Sequence, residues 1–82
     1  MANVQDTVTG HKLFEKMIKV PGINRFNSVF ASITEIDTQG VPGMGLATLA
    51  INQVVPIDNA VIVRGFIEWD SDLMVRISVL AP

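Results

Sequence analysis

Four side chains in the last third of the sequence have the chemistry that molecular recognition requires. Arg64, Phe66 and Glu68 alternate along one β-rich segment, and Arg76 lies in the next one. Because side chains on a strand alternate between its two faces, the spacing predicts that all four share one face of a hairpin. Two guanidinium groups beside an aromatic ring are suited to bind a carboxylate or phosphate, or to anchor a partner protein. An ion pair between Glu68 and Arg76 on a solvated surface is the alternative interpretation.

Three aspartates occupy segments whose composition predicts turns. Asp37 begins one such segment, and Asp70 and Asp72 flank Ser71 in another. In an up-and-down sheet these turns lie at the same end, where several carboxylates can converge on a hard cation such as Ca²⁺. The segment around Ser71 lacks the glycine and the distal glutamate of an EF-hand loop. Aspartate and serine are also ordinary turn residues, so the metal site is a hypothesis beside the simpler turn interpretation.

The rest of the chain offers no recognisable catalytic set. His11 is the single histidine and there is no cysteine, so a transition-metal site would need carboxylates or a second subunit. None of the serines stands in a nucleophile-elbow context. Gly43-Met44-Gly45 precedes a predicted strand and not a helix, which indicates a turn or bulge instead of a phosphate loop. The sequence therefore predicts neither a cofactor nor catalytic machinery of its own.

An apolar pattern early in the chain predicts a short helix over about residues 10–20. Its apolar side chains fall on one helical face and its lysines on the other. These apolar residues are Leu13, Phe14, Met17 and Ile18. Pro21-Gly22 ends the helix. A strand over residues 13–20 is the alternative, which makes the whole chain all-β, and residues 1–8 are either a short strand or a loose arm.

From Phe26 onward the sequence alternates in the way that β-strands do. Valine, isoleucine, phenylalanine and threonine dominate segments that are separated by aspartate, asparagine, glycine and proline. The predicted strands cover about residues 27–36, 46–55, 60–69 and 73–80. Short connections between them predict a four-stranded antiparallel meander. Together with the helix, these strands predict an α+β or mostly β fold.

The hairpin predicted from the last two strands has two faces of different character. One face is wholly apolar, with Ile67 opposite Val75 and Val63 opposite Val79, so we expect it to pack on a core. The other face mixes the four recognition side chains with further apolar residues. A short helix covers only one face of a sheet, so the mixed face is predicted to be an oligomer surface.

The composition also predicts self-association. The 82 residues make one small domain, residues 1–82, of which 49% is hydrophobic and only 17% charged. A monomer of 8.9 kDa exposes roughly 4,800 Å², and so few charges cover that surface sparsely. Apolar surface packed against a second copy is the simplest solution, so we predict a homo-oligomer.

The sequence favours one class of function without identifying a ligand. A net charge of −2 without a clustered basic face argues against nucleic-acid binding. No segment resembles a membrane span or a signal peptide, and the lack of cysteine fits a cytoplasmic protein. We expect a small homo-oligomeric binding or structural module. A ligand-binding protein or small enzyme, with a pocket at the helix–sheet or subunit interface, is the alternative.

Overall fold

Six β-strands make up the computed structural model, which describes residues 2–82. The strands are β1 (Ala2–Gly10), β2 (Lys12–Lys19), β3 (Phe30–Glu35), β4 (Thr48–Ile57), β5 (Ala60–Glu68) and β6 (Leu73–Ala81). Every strand pair is antiparallel. The described residues form no helix, and hence none long and apolar enough to cross a membrane. The protein is therefore an all-β domain.

The strands form two three-stranded sheets. Sheet 1 has the order β1-β6-β3, and sheet 2 has the order β2-β5-β4. The two central strands, β5 and β6, follow each other in the chain but lie in different sheets, as do β1 and β2. β4 and β5 form a hairpin within sheet 2 through the turn Asp58-Asn59, where Asn59 has a φ of 64°. Asparagine adopts this left-handed conformation more readily than most residues do.

The inner faces of the two sheets pack against each other to form the core. The most buried side chains come largely from the two central strands: Val61, Val63, Ile67, Val75, Ile77 and Val79. β-Branched residues such as these fit a pleated, buried surface. Ile18 and Val20, at the end of β2 and just beyond it, extend the same core. Because alternate residues on a strand point to opposite sides, the residues between these core positions form the two outer faces of the sandwich.

The predicted helix over about residues 10–20 is wrong, because this segment is the end of β1 followed by β2. The alternative, a strand over residues 13–20 in an all-β chain, agrees with the structure. Residues four apart share a face in a strand, whose side chains repeat every two residues, and also in a helix, which turns once in about 3.6 residues. The spacing of the apolar residues therefore fits both structures. In the strand, Phe14 and Ile18 pack on the core and the alternate residues lie on the outer face.

β1 and β2 run side by side at one open edge of the sandwich, each in its own sheet. β1 contains residues 2–8, for which the sequence allowed a strand or a loose arm, while residue 1 lies outside the described residues. Asp6 and Lys16 interrupt the apolar alternation of these strands, and Lys16 Nζ is 3.5 Å from Asp6 Oδ2. Charged side chains on the inward side of an edge strand disfavour pairing with another chain.

The predicted strands after residue 26 exist, but the four-stranded meander that was to join them does not. β5 and β6 face each other across the core instead of pairing, and β6 pairs with β3. The Trp69 N–H donates to the Ile67 carbonyl over 2.9 Å, which turns the chain at the end of β5. Two strands with wholly apolar faces bury more surface against each other than side by side under a short helix. The apolar face of the predicted hairpin is thus in the core, contributed by both sheets.

The sandwich exposes more surface than its mass predicts. Its accessible surface is 5210 Å², compared with roughly 4,800 Å² from the scaling of surface with mass. Large apolar side chains contribute to this excess, both on the outer face of sheet 2 and in the segments that connect the strands. Part of the excess of apolar residues in the composition is therefore exposed on the outer face of sheet 2 and in the connecting segments.

Candidate functional site

The four recognition residues predicted from the sequence lie on opposite sides of the sandwich. Arg64, Phe66 and Glu68 alternate with the buried residues of β5 and belong to the outer face of sheet 2. Arg76 alternates with the buried residues of β6 and belongs to the outer face of sheet 1. The structure therefore does not bring Glu68 and Arg76 together, and the two arginines are parts of separate surfaces.

Cross-strand neighbours arrange the outer face of sheet 2 in rows, because residues directly opposite each other share a face. The row at the end of β5 pairs Glu68 with Thr48. We call the three rows that follow it the Arg64 face. Its rows are Leu13, Phe66 and Ala50; Glu15, Arg64 and Gln53; and Met17, Ile62 and Val55. A bulge at Asn52 shifts the register of β4 and keeps Gln53 in line with Arg64. The first and third rows are apolar, and the middle row is polar.

The middle row of the Arg64 face contains an ion pair. Arg64 Nη2 donates to Glu15 Oε1 over 2.9 Å, and both side chains are about half exposed. Gln53 lies on the other side of Arg64. A shallow groove of about 140 Å³ separates these three side chains from part of the third row. Since Glu15 neutralises Arg64, the nine residues of the Arg64 face carry no net charge, and Glu68 in the adjoining row adds one negative charge.

The two apolar rows are most exposed where they meet the edges of the sheet. Leu13 and Met17 on β2 are 63% and 58% exposed, whereas Ile62 and Phe66 on the central strand are partly buried. Contiguous apolar side chains of this kind mark binding surfaces, while single exposed ones do not. The Arg64 face thus has the composition of an interface, with apolar residues around a charge that is already paired.

The outer face of sheet 1 is built mainly from hydroxyl and amide side chains. We call it the Arg76 face, and its members are Asn3, Gln5, Thr7, Thr9, Phe30, Ser32, Thr34, Met74, Arg76, Ser78 and Leu80. Thr7 and Thr34 lie directly opposite Arg76 on the two neighbouring strands. Among residues 2–82 the Arg76 guanidinium forms no ion pair, and its Nε is buried without a hydrogen-bond partner. Arg76 is therefore a cation that its own surface does not neutralise.

The three aspartates of the metal hypothesis lie in loops at one end of the sandwich. Asp37 Oδ1 accepts two backbone N–H groups of its own turn. Asp72 Oδ1 is 2.7 Å from His11 Nδ1, and Asp70 Oδ1 is 3.6 Å from Lys12 Nζ. Within the described range, no three histidine, aspartate or glutamate side chains converge in a way that could hold a metal ion. The turn interpretation accounts for Asp37, and the cation site stays a prediction.

Sequence reasoning found the central strand of the Arg64 face but missed the residues beside it. Leu13, Glu15 and Met17 were assigned to a helix, and Gln53 had no predicted partner. A signal for one of these neighbours was present, because Glu15 supplies the opposite charge that Arg64 requires in a partly apolar surface. Predicting the pair between Glu15 and Arg64 requires knowing that β2 lies beside β5, and the sequence alone did not reveal this strand order.

No family model, no curated protein and no solved structure matches this chain. The functional argument therefore depends on the geometry of the surfaces described above. The Arg64 face has three large exposed apolar side chains, Leu13, Met17 and Val55, beside its paired charge, whereas the Arg76 face has two, Phe30 and Leu80.

Proposed function

We propose that the protein is a small homo-oligomeric binding or structural module that associates through the Arg64 face and has no catalytic machinery of its own. The observation that carries this proposal is the pair of exposed apolar rows on either side of the neutralised Arg64. Removing such rows from water is favourable by about 25 cal/mol for each Å² of apolar surface. A second copy of the chain supplies a surface of the same composition.

The row pattern of the Arg64 face is complementary to itself. Consider a two-fold axis that lies in the interface and runs along β5. This axis places each row of one copy on the same row of the other, with β2 over β4. Apolar rows then meet apolar rows, and Glu15 of one copy approaches Gln53 of the second copy. Each of these contacts occurs twice, as in any isologous dimer.

The central arginine is compatible with this arrangement. The two copies of Arg64 approach each other at the centre, but each is paired with Glu15 of its own subunit over 2.9 Å. The face spans three strands about 4.8 Å apart and five residues at about 3.4 Å each. This is less than the roughly 800 Å² that a standard interface takes from each partner. We therefore expect a weak dimer.

Sedimentation velocity over a wide concentration range tests the proposal. We expect the unmodified protein to dimerise with a dissociation constant of about 10–300 μM, as suits an interface below the standard size. The double variant Leu13→Ser/Met17→Ser removes an exposed apolar side chain from each apolar row. It should weaken dimerisation about tenfold or more, because two apolar side chains are lost from each copy.

A matched control on the opposite face distinguishes association through the Arg64 face from nonspecific hydrophobic association. Phe30 is 59% exposed and belongs to the Arg76 face. Phe30→Ser should leave the dissociation constant unchanged. A protein that remains monomeric at about 1 mM, or a Phe30→Ser variant that loses dimerisation while Leu13→Ser/Met17→Ser retains it, contradicts the proposal.

A ligand-binding protein or small enzyme was the alternative drawn from the sequence. Residues 2–82 contain no helix, so the pocket between a helix and a sheet does not form in this range. A pocket between subunits requires the self-association proposed here. Arg64→Ala separates the two hypotheses: loss of assembly favours the module, whereas intact assembly with loss of a ligand favours the pocket.

A further inference from the structure

Backbone groups along one edge of sheet 1 have no partner in that sheet. The Ile36 N–H donates to a carbonyl of β6 over 3.0 Å, so this residue faces β6. Peptide groups alternate in direction along a strand, and hence Ala31, Ile33 and Glu35 face away from β6. A hydrogen bond confirms this orientation of Glu35. The Gly43 N–H donates to the Glu35 backbone carbonyl over 3.1 Å, from the side of β3 that is opposite β6. Ala31 and Ile33 therefore present N–H and C=O groups at a free edge.

The other three strand edges carry features that disfavour pairing along their length, whereas the outer edge of β3 is occupied only at its end, where Gly43 pairs with Glu35. β1 and β2 carry Asp6 and Lys16 at their shared edge. β4 has a bulge at Asn52 and contains Pro56, which has no N–H to donate. Residues 30–34 of β3 include no charge, no proline and no bulge. Of the edges in the described part of the chain, β3 is thus the one suited to accept another strand.

A cleft lies beside this edge, between β3 and β4, and the connecting segment 43–47 forms much of its wall. Its volume is about 300 Å³, and its apolar lining includes Ile33, Met44 and Leu49. Gly45 forms part of the wall, and a Cβ atom at this position would lie 2.6 Å from Glu35 Oε2. The glycine therefore allows the Glu35 carboxylate to lie against the loop backbone. At the lower end of ligand-pocket volumes, the cleft fits a short segment of chain better than a large cofactor.

Glu35 is the charged residue in the lining of this cleft. It is partly buried, and no cation or side-chain hydrogen-bond donor within residues 2–82 contacts its carboxylate. A carboxylate in such a position is best matched by a cation that brings its own hydrogen-bond donors, as lysine and arginine do. A residue opposite Ile33 on an added strand would be diagonal to Glu35, within reach of a long side chain.

We propose that the cleft between β3 and β4 binds an extended peptide segment of a partner protein, which adds to β3 as a fourth strand of sheet 1 and places a lysine or arginine on Glu35. Backbone hydrogen bonds to Ala31 and Ile33 supply affinity, and the apolar walls together with Glu35 select the sequence. The segment therefore alternates apolar and polar residues and has a basic residue on its inward side. The lining of the cleft shares no residue with the Arg64 face, so binding there does not use the surface proposed for self-association.

A peptide titration followed by NMR tests this site. The probe is a synthetic peptide of alternating valine and threonine, with one central valine replaced by lysine. Two matched peptides carry glutamate in place of the lysine, or N-methyl groups that remove the backbone donors facing β3. We expect the amide signals of Ala31 and Ile33 to shift with the lysine peptide. Its affinity should exceed that of the glutamate and N-methylated peptides by about tenfold or more.

Two variants and a control locate the interaction. Glu35→Gln removes the charge with little change in shape and should weaken the lysine peptide about tenfold. Gly45→Ala displaces the Glu35 carboxylate and should weaken the same peptide severalfold. Glu68→Gln removes an exposed carboxylate from β5, on the other sheet, and should leave the affinity unchanged.

Three results would overturn the proposal. Equal binding of the N-methylated peptide would show that no strand is added to β3. An unchanged affinity in Glu35→Gln would show that the carboxylate does not select the basic residue. Dimerisation of the unliganded protein that Glu35→Gln or Gly45→Ala abolishes, while Leu13→Ser/Met17→Ser preserves it, would assign the cleft to a second copy of this chain.

Discussion

Sheet 1 and sheet 2 each bury a central strand of valine and isoleucine, yet their outer faces differ in chemistry. On sheet 2, Arg64 is paired with Glu15 between two apolar rows. On sheet 1, Arg76 lies between threonines and forms no ion pair within the described chain. Dehydrating a paired charge among apolar side chains costs less than dehydrating a free cation among hydroxyl groups. The neighbours of an arginine, and not the arginine alone, therefore determine which face is suited to associate.

The largest expected effect concerns the core. It tests whether the inner faces of sheet 1 and sheet 2 contribute equally to the free energy of unfolding. Ile67 on β5 and Ile77 on β6 are both completely buried. We expect Ile67→Ala and Ile77→Ala each to lower the free energy of unfolding by about 3–4 kcal/mol, through lost apolar burial and the cavity left behind. Urea denaturation measures both values. A difference above about 1.5 kcal/mol would show that the sheets contribute unequally to the core.

The next largest effect concerns Gly65 on β5, where the neighbouring strands of sheet 2 lie close to its Cα atom. A Cβ atom at Gly65 would lie 2.6 Å from the Ala50 carbonyl oxygen and 2.6 Å from Phe14 Cζ. The carbonyl belongs to the backbone of β4, so Gly65→Ala should destabilise the fold by about 2–3 kcal/mol. Gly10→Ala in β1 is the matched control, because no heavy atom lies within 4 Å of its added Cβ. A cost of less than about 1 kcal/mol for Gly65→Ala in the same denaturation series would contradict the close packing of this sheet.

The strands were largely predictable from the sequence, but their partners were not. Alternation and turn residues located β3 to β6 within a few residues, because both signals are local. The assignment of residues 10–20 failed because Leu13, Phe14, Met17 and Ile18 satisfy two periods at once. The choice between a hairpin and a sandwich depends on which apolar faces bury each other, which is a property of the whole chain.

The candidate site was predictable only in part for the same reason. The alternation along β5 correctly grouped Arg64, Phe66 and Glu68 on one side of a strand. Arg76 was grouped with them because β6 was expected to continue the same sheet. The sequence placed Glu35 beside the acidic turns, but not in a cleft, since that position depends on how the loop containing Gly45 folds back on β3.

The smallest expected effect compares the two arginines directly. Arg76→Met keeps an unbranched apolar stem and removes an Nε that is buried without a partner, so stability should be unchanged or rise by up to about 1 kcal/mol. Arg64→Met breaks the half-exposed pair with Glu15 and should lower stability by about 0.5 kcal/mol. Denaturation at low and high salt measures both, and salt should reduce only the Arg64 effect because only that arginine has an ionic partner. If Arg76→Met is instead the more destabilising variant, its guanidinium has a stabilising partner in solution, and the contrast between the two faces no longer holds.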